Sequence, residues 1–314
     1  MKEIKTPKTL LEAVQYFTND ALCVEYLSRL KWGGDEKFCT SCGSDAVYGL
    51  RTRPIFKCRD CKKQFSLKKG TIMEKSPLPI TKWLPAIWLV VNDKNGISSY
   101  EVARALGVKQ HTAWFMMHRV REAIQNGSLR KLTGEVEVDE SFVGGRTQNM
   151  HKDKRDKLRD GGKRISGKTK TVVMGMVERN GEVRAKVVDS QRRRSLLPEI
   201  FANIDKDAKI FTDALRSYDV LGEHYRHSTV DHRYEYVNGE AHTNTMENFW
   251  MLFKRCVKGT YVHLSAYHMD RYLDEQIFRY NNRKESDSVR FERAASGIFD
   301  KRLTYAELTG VSNQ

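Results

Sequence analysis

Apolar residues in the first part of the chain recur at steps of three and four, the spacing of an amphipathic helix. Between residues 8 and 31 they are Leu10, Leu11, Val14, Phe17, Leu22, Tyr26, Leu27 and Leu30. Asn19-Asp20 interrupts this pattern, which favours two helices rather than one. The helical periodicity returns after Pro77 and Pro79, where Thr81 is placed to cap a helix that runs to about Val91.

Two further helical patterns follow in GISSYEVARALGVKQHTAWFMMHRVREAI. Ser98 or Ser99 caps the first, which ends at Gly107, and the second runs from about Lys109 to Ile124. Two short helices joined around a glycine resemble a helix-turn-helix. The second helix would then present its first residues to the major groove of DNA: Lys109, Gln110, His111 and Thr112. A packing unit of three helices that does not bind DNA gives the same pattern, so both interpretations stay open.

The second half of the chain changes to a period of two. Glu135 to Val138 alternates polar and apolar residues and ends in Asp139 and Glu140. TVVMGMVERNGEVRAKVVD predicts a hairpin, with Asn180-Gly181 suited to a type I′ turn. Further strands are predicted at 209–212, ending at Asp213, and at 227–230. Helices are predicted at about 196–202, 217–221, 244–257 and 265–282. The order βββ-α-β-α-β-α predicts an α/β layer on a mixed five-stranded sheet.

Four of the six cysteines form two close pairs. Cys39 and Cys42 are separated by two residues, as are Cys58 and Cys61, and fifteen residues lie between the pairs. Each CxxC turn offers two thiolates, and two turns complete a tetrahedral Zn²⁺ shell. The aromatic residues Tyr48, Phe56 and Phe65 are spaced as for short strands. This spacing predicts a zinc ribbon whose closed site is structural. A redox CxxC fits poorly because there are two pairs and no βαβ context.

Charge and hydropathy narrow the class of protein. The 314 residues include 55 lysines and arginines against 40 acids, a net charge of +15, which favours a polyanionic partner. The longest apolar run, 83–91, has nine residues and contains a proline, so no bilayer span is expected. The first ten residues lack an apolar signal core, and we therefore expect a cytoplasmic protein. The basic segment 146–170 is expected to be a loop, either a solvated charge run or a segment that follows phosphates.

Three acids stand where a metal site could form. Asp139 and Asp213 end two predicted strands, and Glu247 lies in the first turn of the helix that starts at Asn244. Three carboxylates can hold two Mg²⁺ or Mn²⁺ ions about 3.5–4 Å apart for phosphoryl transfer. Lys254 lies two turns beyond Glu247 and could contact a phosphate. Other interpretations stay open: Glu247 could complete a capping box with Asn244, and Asp213 could cap a helix. The competing candidates for the third ligand are Glu140, Glu240 and Asn248.

Three motifs give the chain a resemblance to a known family. HTNTMENFWMLFKRCVKGTYVHLSAYHMDRYLDEQIFRYNNR (242–283), VDESFVGG (138–145) and FTDALRSY (211–218) resemble the DDE transposases of bacterial insertion sequences, in the branch with an N-terminal zinc ribbon. The resemblance covers about residues 38–283. It implies a ribonuclease H-like fold, Mg²⁺-dependent cutting and joining of element ends, and at least a dimer on DNA. It assigns Asp139, Asp213, Glu247 and Lys254 to the catalytic site and keeps Asn248 and Asn244 as alternatives.

The predicted organisation is a multidomain α+β chain. Its segments are an N-terminal helical segment (1–35), a zinc ribbon (36–70), a helix-turn-helix-like domain (78–126), a ribonuclease H-like catalytic domain (132–284) and a tail (285–314). The predicted function is a transposase that cleaves insertion-sequence ends and joins the 3′ hydroxyl to target DNA, in a cytoplasmic, nucleoid-associated bacterial setting. The alternatives are a ribonuclease H-like nuclease without strand transfer and a zinc-ribbon DNA-binding regulator.

Overall fold

The computed structural model describes residues 6–34, 36–50, 54–125, 130–145, 151–153, 156, 170–230, 242–262 and 264–310. Its contacts divide the chain into two compact units. The first is formed by Met1–Gln125 together with Lys284–Gln314, and the second by Asn126–Arg283. Most of the basic segment 146–170 lies outside the described residues, as does Glu240. Within the described ranges, no helix has both the length and the apolar character needed to cross a bilayer.

The first unit begins with two helices, as the sequence predicted. Helix α1 (Leu10–Phe17) is separated from α2 (Asp20–Trp32) by Asn19. The Asn19 carboxamide oxygen accepts the backbone N–H groups of Ala21 and Leu22 at 2.9 and 3.2 Å. The predicted break is therefore confirmed. It arises because Asn19 satisfies donors that have no partner inside α2.

The ribbon is a three-stranded antiparallel sheet in the order β1 (Val47–Gly49), β2 (Ile55–Cys58) and β3 (Gln64–Ser66). Phe56 and Phe65 are directly opposite each other in the register, and their rings stack at 5.9 Å. Trp32, at the end of α2, packs edge-on against Phe56 at 5.4 Å. The short strands thus gain an aromatic core beside Cys58, which ends β2.

Three helices follow: α3 (Ile80–Asn92), α4 (Ser99–Leu106) and α5 (Gln110–Ala123). The predicted cap at Thr81 is wrong, because α3 starts at Ile80, its N-cap residue is Pro79, and no side-chain cap bond is made. Ser98 caps α4 in a reciprocal capping box with Glu101. Gly107 ends α4 at a φ of +59°, a left-handed conformation that glycine adopts without strain.

The second unit contains the predicted mixed five-stranded sheet. Its strands are β4 (Glu135–Val143), β5 (Thr171–Glu178), β6 (Val183–Val188), β7 (Lys209–Asp213) and β8 (Arg226–Val230), in the spatial order β6-β5-β4-β7-β8. Strand β5 pairs antiparallel with both β4 and β6, whereas β7 runs parallel to both β4 and β8. Strand β4 is therefore central and joins the antiparallel half of the sheet to the parallel half.

The hairpin between β5 and β6 is confirmed, but its predicted type I′ turn is wrong. Asn180 has a φ of +63°, whereas Gly181 does not adopt positive φ. The loop is longer than two residues, because the N–H of Glu178 bonds to the carbonyl of Glu182 at 3.0 Å. Arg179 also donates its N–H to Glu135 of β4 at 2.9 Å, so pairing with β4 extends past the end of β5.

Helices cover both faces of this sheet. Helix α6 (Arg193–Asn203) packs on one face, where Leu196 and Ile200 join the core that holds Val136 and Val138. Helices α7 (Asn244–Cys256) and α8 (Met269–Asn281) cover the other face. The helix predicted from residue 265 begins instead with a short 3₁₀ turn at Ala266–His268. Because side chains alternate along β4, Glu137 and Asp139 lie on the α7 face.

The segment that the sequence left as a tail forms α9 (Asp287–Ser296) and α10 (Tyr305–Thr309) and belongs to the first unit. Phe291 is fully buried there, with its ring 5.1 Å from that of Phe17 and 5.3 Å from that of Trp88. Farther along, the N–H of Ile72 donates to the carbonyl of Ile298 at 3.0 Å. The last described residues therefore complete the core of the N-terminal unit.

Candidate active site

Asp139 and Asp213 lie on neighbouring parallel strands. Strands β4 and β7 pair with Glu137 opposite Phe211, and two more residues along this register place Asp139 level with Asp213. Neighbouring strands are about 4.8 Å apart, so the two carboxylates face the same region above the sheet. Asp213 ends its strand as predicted. The expectation that Asp139 ends a strand is wrong, because β4 continues to Val143 through its pairing with β5.

Glu247 lies in the first turn of α7 and is exposed. The capping-box interpretation with Asn244 does not describe this helix, because the N-cap residue is Thr243. The N–H groups of Thr245 and Met246 instead donate to one carboxylate oxygen of Glu137, at 2.8 and 3.0 Å. The side chain of Glu247 therefore does not cap the helix, although its Oε1 lies 3.5 Å from the Thr243 hydroxyl.

Trp250, one turn after Glu247, joins α7 to Asp139. Its indole N–H donates to Asp139 Oδ2 at 3.1 Å. Gly175 is opposite Asp139 on β5, and a Cβ there would lie 2.7 Å from Trp250 Cζ2 and 2.3 Å from Met246 Cε. A glycine at this position therefore allows α7 to approach the sheet closely enough to reach Asp139.

A cleft of about 530 Å³ opens above these residues. It is lined by Asp139, Glu140, Ser141, Glu247, Trp250, Met251, Lys254, Arg255 and Lys258. The lining thus combines the acids Asp139, Glu140 and Glu247 with the cationic residues Lys254, Arg255 and Lys258. Asp213 is not among its lining residues, although its charge acts on both Asp139 and Glu140.

The electrostatics of the cleft are those of crowded acids. Burial and, after it, the negative charge of Asp213 raise the pKa of Asp139 to about 6, and Glu247 acts in the same direction. Burial and the charges of Asp213 and Asp139 raise the pKa of Glu140 to about 8. Burial lowers the pKa of Lys254, and the charge of Asp139 opposes that effect. A cation placed between the acids would relieve this repulsion.

The donor set fits a hard divalent cation. Carboxylate oxygens are the ligands that Mg²⁺ prefers, and Asp139, Asp213 and Glu247 supply such oxygens. Among the residues that the structure describes, only the four paired cysteines bring three or more ligand atoms within 4.8 Å of one another. Three carboxylates of this kind can together hold two such ions.

The competing acids and amides take other positions. Glu140 Oε2 accepts from Gln191 Nε2 at 3.3 Å, and the Gln191 carbonyl accepts from the Ser217 hydroxyl at 2.7 Å. Glu140 thus has a protein partner while it lines the cleft. Asn244 and Asn248 are both exposed on α7.

The four paired cysteines gather at one end of the ribbon. Their sulfur atoms all lie within 4.8 Å of one another, with Cys39 and Cys61 3.6 Å apart and Cys42 and Cys58 3.7 Å apart. Zn–S bonds of about 2.3 Å in a tetrahedron place the sulfurs about 3.8 Å apart. The site therefore fits a structural Zn²⁺ ion with four thiolate ligands and no open position.

Comparison with known proteins decides the family. Residues 131–281 match a family model described as the ISXO2-like transposase domain, and residues 18–64 match a transposase zinc-ribbon domain. An uncharacterized transposase-like protein of Haemophilus influenzae is 31% identical over 97 residues, which are 31% of this chain and 78% of that protein. The chain belongs to the ISXO2-like transposase family.

A second relative extends the similarity along the transposase. An uncharacterized protein in transposable element ISH50 of Halobacterium salinarum is 26% identical over 255 residues, 77% of this chain and 84% of that protein. The predicted resemblance to insertion-sequence transposases with a zinc ribbon is thereby confirmed.

The residues of the transposase that were predicted to read DNA lie at the start of α5. Lys109 is its N-cap residue, and both Lys109 and His111 are exposed, whereas Gln110 and Thr112 are partly buried. The Gln110 amide donates to the Ser99 hydroxyl at 2.7 Å, which ties α5 to the first turn of α4. His111 and Lys109 are therefore better placed than Gln110 to contact a ligand.

Four residues that contribute to this site were not singled out from the sequence: Glu137, Arg179, Gly175 and Trp250. Glu137 occupies the polar position of an alternating strand, which indicates a solvent-facing side chain, yet it is fully buried. Helix α7 starts without a side-chain cap of its own. That missing cap is visible only in the structure, whereas the glycine in the middle of β5 is a sequence signal that could have indicated the close approach of α7.

Proposed function

We propose that this transposase cleaves DNA at the ends of an insertion sequence and joins the freed 3′ hydroxyl to a target strand. The observation that carries the proposal is the convergence of Asp139, Asp213 and Glu247 on one face of the sheet. A mixed sheet with an acid on its central strand, a level acid on the parallel neighbour and a third acid on a covering helix supports a ribonuclease H-like catalytic domain.

In this proposal Asp139, Asp213 and Glu247 hold two Mg²⁺ ions. When bound, the ions activate the attacking oxygen and stabilise the leaving one. Trp250 holds one oxygen of Asp139 and so restricts the orientation of this carboxylate beside the cleft. Lys254 and Arg255 on α7, with Lys258 in the turn that follows it, contact phosphate groups of the DNA that enters the cleft.

DNA recognition is assigned to the first unit. The zinc ribbon and the helices α4 and α5, as a helix-turn-helix, bind the element ends as duplex DNA. Lys109, His111 and Thr112 contact the major groove, and Gln110 contributes chiefly by holding α5 against α4. The net charge of +15 supports a phosphate-rich ligand. The working form is at least a dimer, because two element ends must be cut and joined together.

The experiment incubates the purified full-length protein with Mg²⁺ and labelled duplexes taken from the DNA that flanks its coding sequence. Wild-type protein should nick these duplexes at defined positions and transfer the new 3′ ends to a plasmid. Asp139→Asn should bind the same duplexes and produce neither product. Nicking without transfer would support a nuclease, and binding without either reaction in the wild type would support a regulator.

A further inference from the structure

Glu137 makes an unusually directed set of contacts for a buried acid. Its side chain is fully buried, and Oε2 accepts the backbone N–H groups of Thr245 and Met246. Oε1 accepts the hydroxyl of Thr245 at 2.9 Å. These are donors that open α7, and a carboxylate there also suits the positive end of the helix dipole. Glu137 therefore caps α7, a helix that follows it by more than a hundred residues in the chain and packs on its face of the sheet.

Arg179 holds Glu137 from the other side. Its Nε donates to Glu137 Oε1 at 2.9 Å, and its Nη2 donates to the carbonyl of His242, just before α7. The same guanidinium lies over the ring of Phe211, 4.1 Å from its centroid. One arginine thus contacts a residue of β4, a residue of β7 and the chain that enters α7.

Three residues that take part in these contacts each lie two positions before one of the three acids. Glu137 precedes Asp139 by two residues on β4, and Phe211 precedes Asp213 by two residues on β7. Thr245 precedes Glu247 by two residues on α7. On each of the three elements that carries a proposed metal ligand, the residue two positions earlier therefore contacts Glu137 or Arg179.

We propose that Glu137 is a positioning residue whose carboxylate, held by Arg179, fixes α7 on the sheet so that Glu247 and Trp250 face Asp139. The proposal rests on the proposed function, because it concerns the metal site that the three acids would form. An ordinary buried ion pair would only stabilise the fold. This one bonds to the helix turn that bears Glu247, and so its loss changes the spacing of the metal ligands as well as the stability.

The test measures Mn²⁺ binding to the full-length protein by calorimetric titration, together with the melting temperature, Tm. Glu137→Gln keeps the volume but places an amide N–H₂ among donors that need an acceptor. It should weaken Mn²⁺ binding by roughly 10-fold to 100-fold, the usual effect of removing a group that orients metal ligands. Arg179→Lys keeps the charge but loses the bond to His242 and the contact with Phe211. It should give a smaller loss in a protein that stays folded.

Glu275→Gln is the matched control. Glu275 is a fully buried acid in the same unit, paired with Arg279 one turn away on α8. It should lower Tm as Glu137→Gln does and leave the affinity for Mn²⁺ at the wild-type value. If Glu137→Gln and Arg179→Lys both bind Mn²⁺ like the wild type, the network is structural only and the proposal is wrong. If Glu137→Gln does not fold, Arg179→Lys against Glu275→Gln decides.

Asp139→Asn separates this proposal from the function on which it rests. It should remove the Mn²⁺ site altogether. If wild type and Asp139→Asn bind Mn²⁺ alike, the three acids are not the metal site and the proposed function itself fails. If only Asp139→Asn loses the metal while Glu137→Gln keeps it, the proposed function stands and the positioning role is rejected.

Discussion

The indole N–H of Trp250 donates a hydrogen bond to Oδ2 of Asp139 over 3.1 Å. This bond connects α7 with the central strand, and it stabilises the ionised form of the acid. A tryptophan in the first turns of a helix thus controls both the direction and the charge of a proposed metal ligand.

Trp250→Phe should therefore weaken Mn²⁺ binding while the fold is kept. Without the indole donor the pKa of Asp139 rises above about 6, so more of the acid is protonated near neutral pH. The difference in Mn²⁺ affinity between Trp250→Phe and wild type should narrow from pH 6 to pH 8, because Asp139 is then ionised in both proteins. Calorimetric titration at several pH values measures this. Phe249→Leu, a buried change on the same helix, is the control and should not alter the pH dependence.

Gly175→Ala should destabilise the second unit. The new Cβ would lie 2.3 Å from Met246 Cε and 2.7 Å from Trp250 Cζ2, so α7 or these side chains must move. Overpacking of this kind costs about 1–3 kcal/mol. Chemical denaturation measures the loss, and Mn²⁺ binding should weaken with it. Gly222→Ala is the control, because nothing lies within 4 Å of its Cβ position. An equal loss of stability in both variants would contradict the close-approach explanation.

In the absence of divalent cations at the acidic cleft, the free energy of unfolding of the protein should fall as pH rises from about 4 to 8. The pKa of Asp139 is raised from 3.8 to about 6 and that of Glu140 from 4.5 to about 8. The folded state therefore keeps protons that the unfolded chain has released, and each further rise in pH favours unfolding. Glu140→Gln should raise Tm at pH 8 more than at pH 5.

Thermal melts in Mg²⁺-free buffer test this pH dependence, with zinc retained in the ribbon. The exposed Glu223→Gln is the control and should leave the pH profile of Tm unchanged. Adding Mg²⁺ should reverse the trend above pH 6, since the ion replaces the protons. A Tm for wild type that rises steadily from pH 5 to 8 without Mg²⁺ would be incompatible with the crowding of these acids.

Metal analysis of the purified protein should find about one zinc per chain, and Cys58→Ser should lose it. Because four thiolates form a closed site, binding energy there is folding energy, and residues 36–70 should lose protection from hydrogen exchange. Cys23→Ser is the matched control. Cys23 is buried and its thiol donates to the Phe17 carbonyl at 3.3 Å, away from the cluster. That variant should retain the zinc.

His111→Ala should reduce the preference for element ends over other duplexes while non-specific binding persists. The ring is exposed at the start of α5, where a recognition helix meets base edges. Lys109→Ala should weaken binding to all duplexes and flatten the salt dependence between 50 and 200 mM. Gln110→Ala should instead lower Tm, because it removes the bond to Ser99. Unchanged discrimination in His111→Ala would remove α5 from the recognition surface.

The zinc site could be predicted from sequence because its four ligands lie in two tight turns, where spacing alone determines which atoms meet. The mixed sheet could also be predicted, since the period of two and the succession of strands and helices along the chain can be read directly from the sequence. The helix break at Asn19 could be predicted as well, because a single side chain supplies the cap.

The contacts that hold the elements bearing the three acids could not be predicted in the same way. The contact of Glu137 with Thr245 spans 108 residues, and it depends on how α7 crosses the sheet. The alternation of Glu135 to Val138 indicated a half-buried strand with one solvent-exposed face. In the structure a helix covers the face that holds Glu137. The strand end placed at Asp139 was wrong for a related reason, because pairing with β5 extends β4.

The burial of Phe291 against Phe17 and Trp88 also determines the order in which the chain can fold during synthesis. The ribosome makes residues 126–283 before it reaches α9, so the five-stranded sheet can form while the N-terminal unit still lacks part of its core. A nascent or prematurely terminated chain would carry the zinc ribbon beside helices whose core is incomplete. The unit that contains the zinc ribbon is therefore completed last, although most of its sequence is translated first.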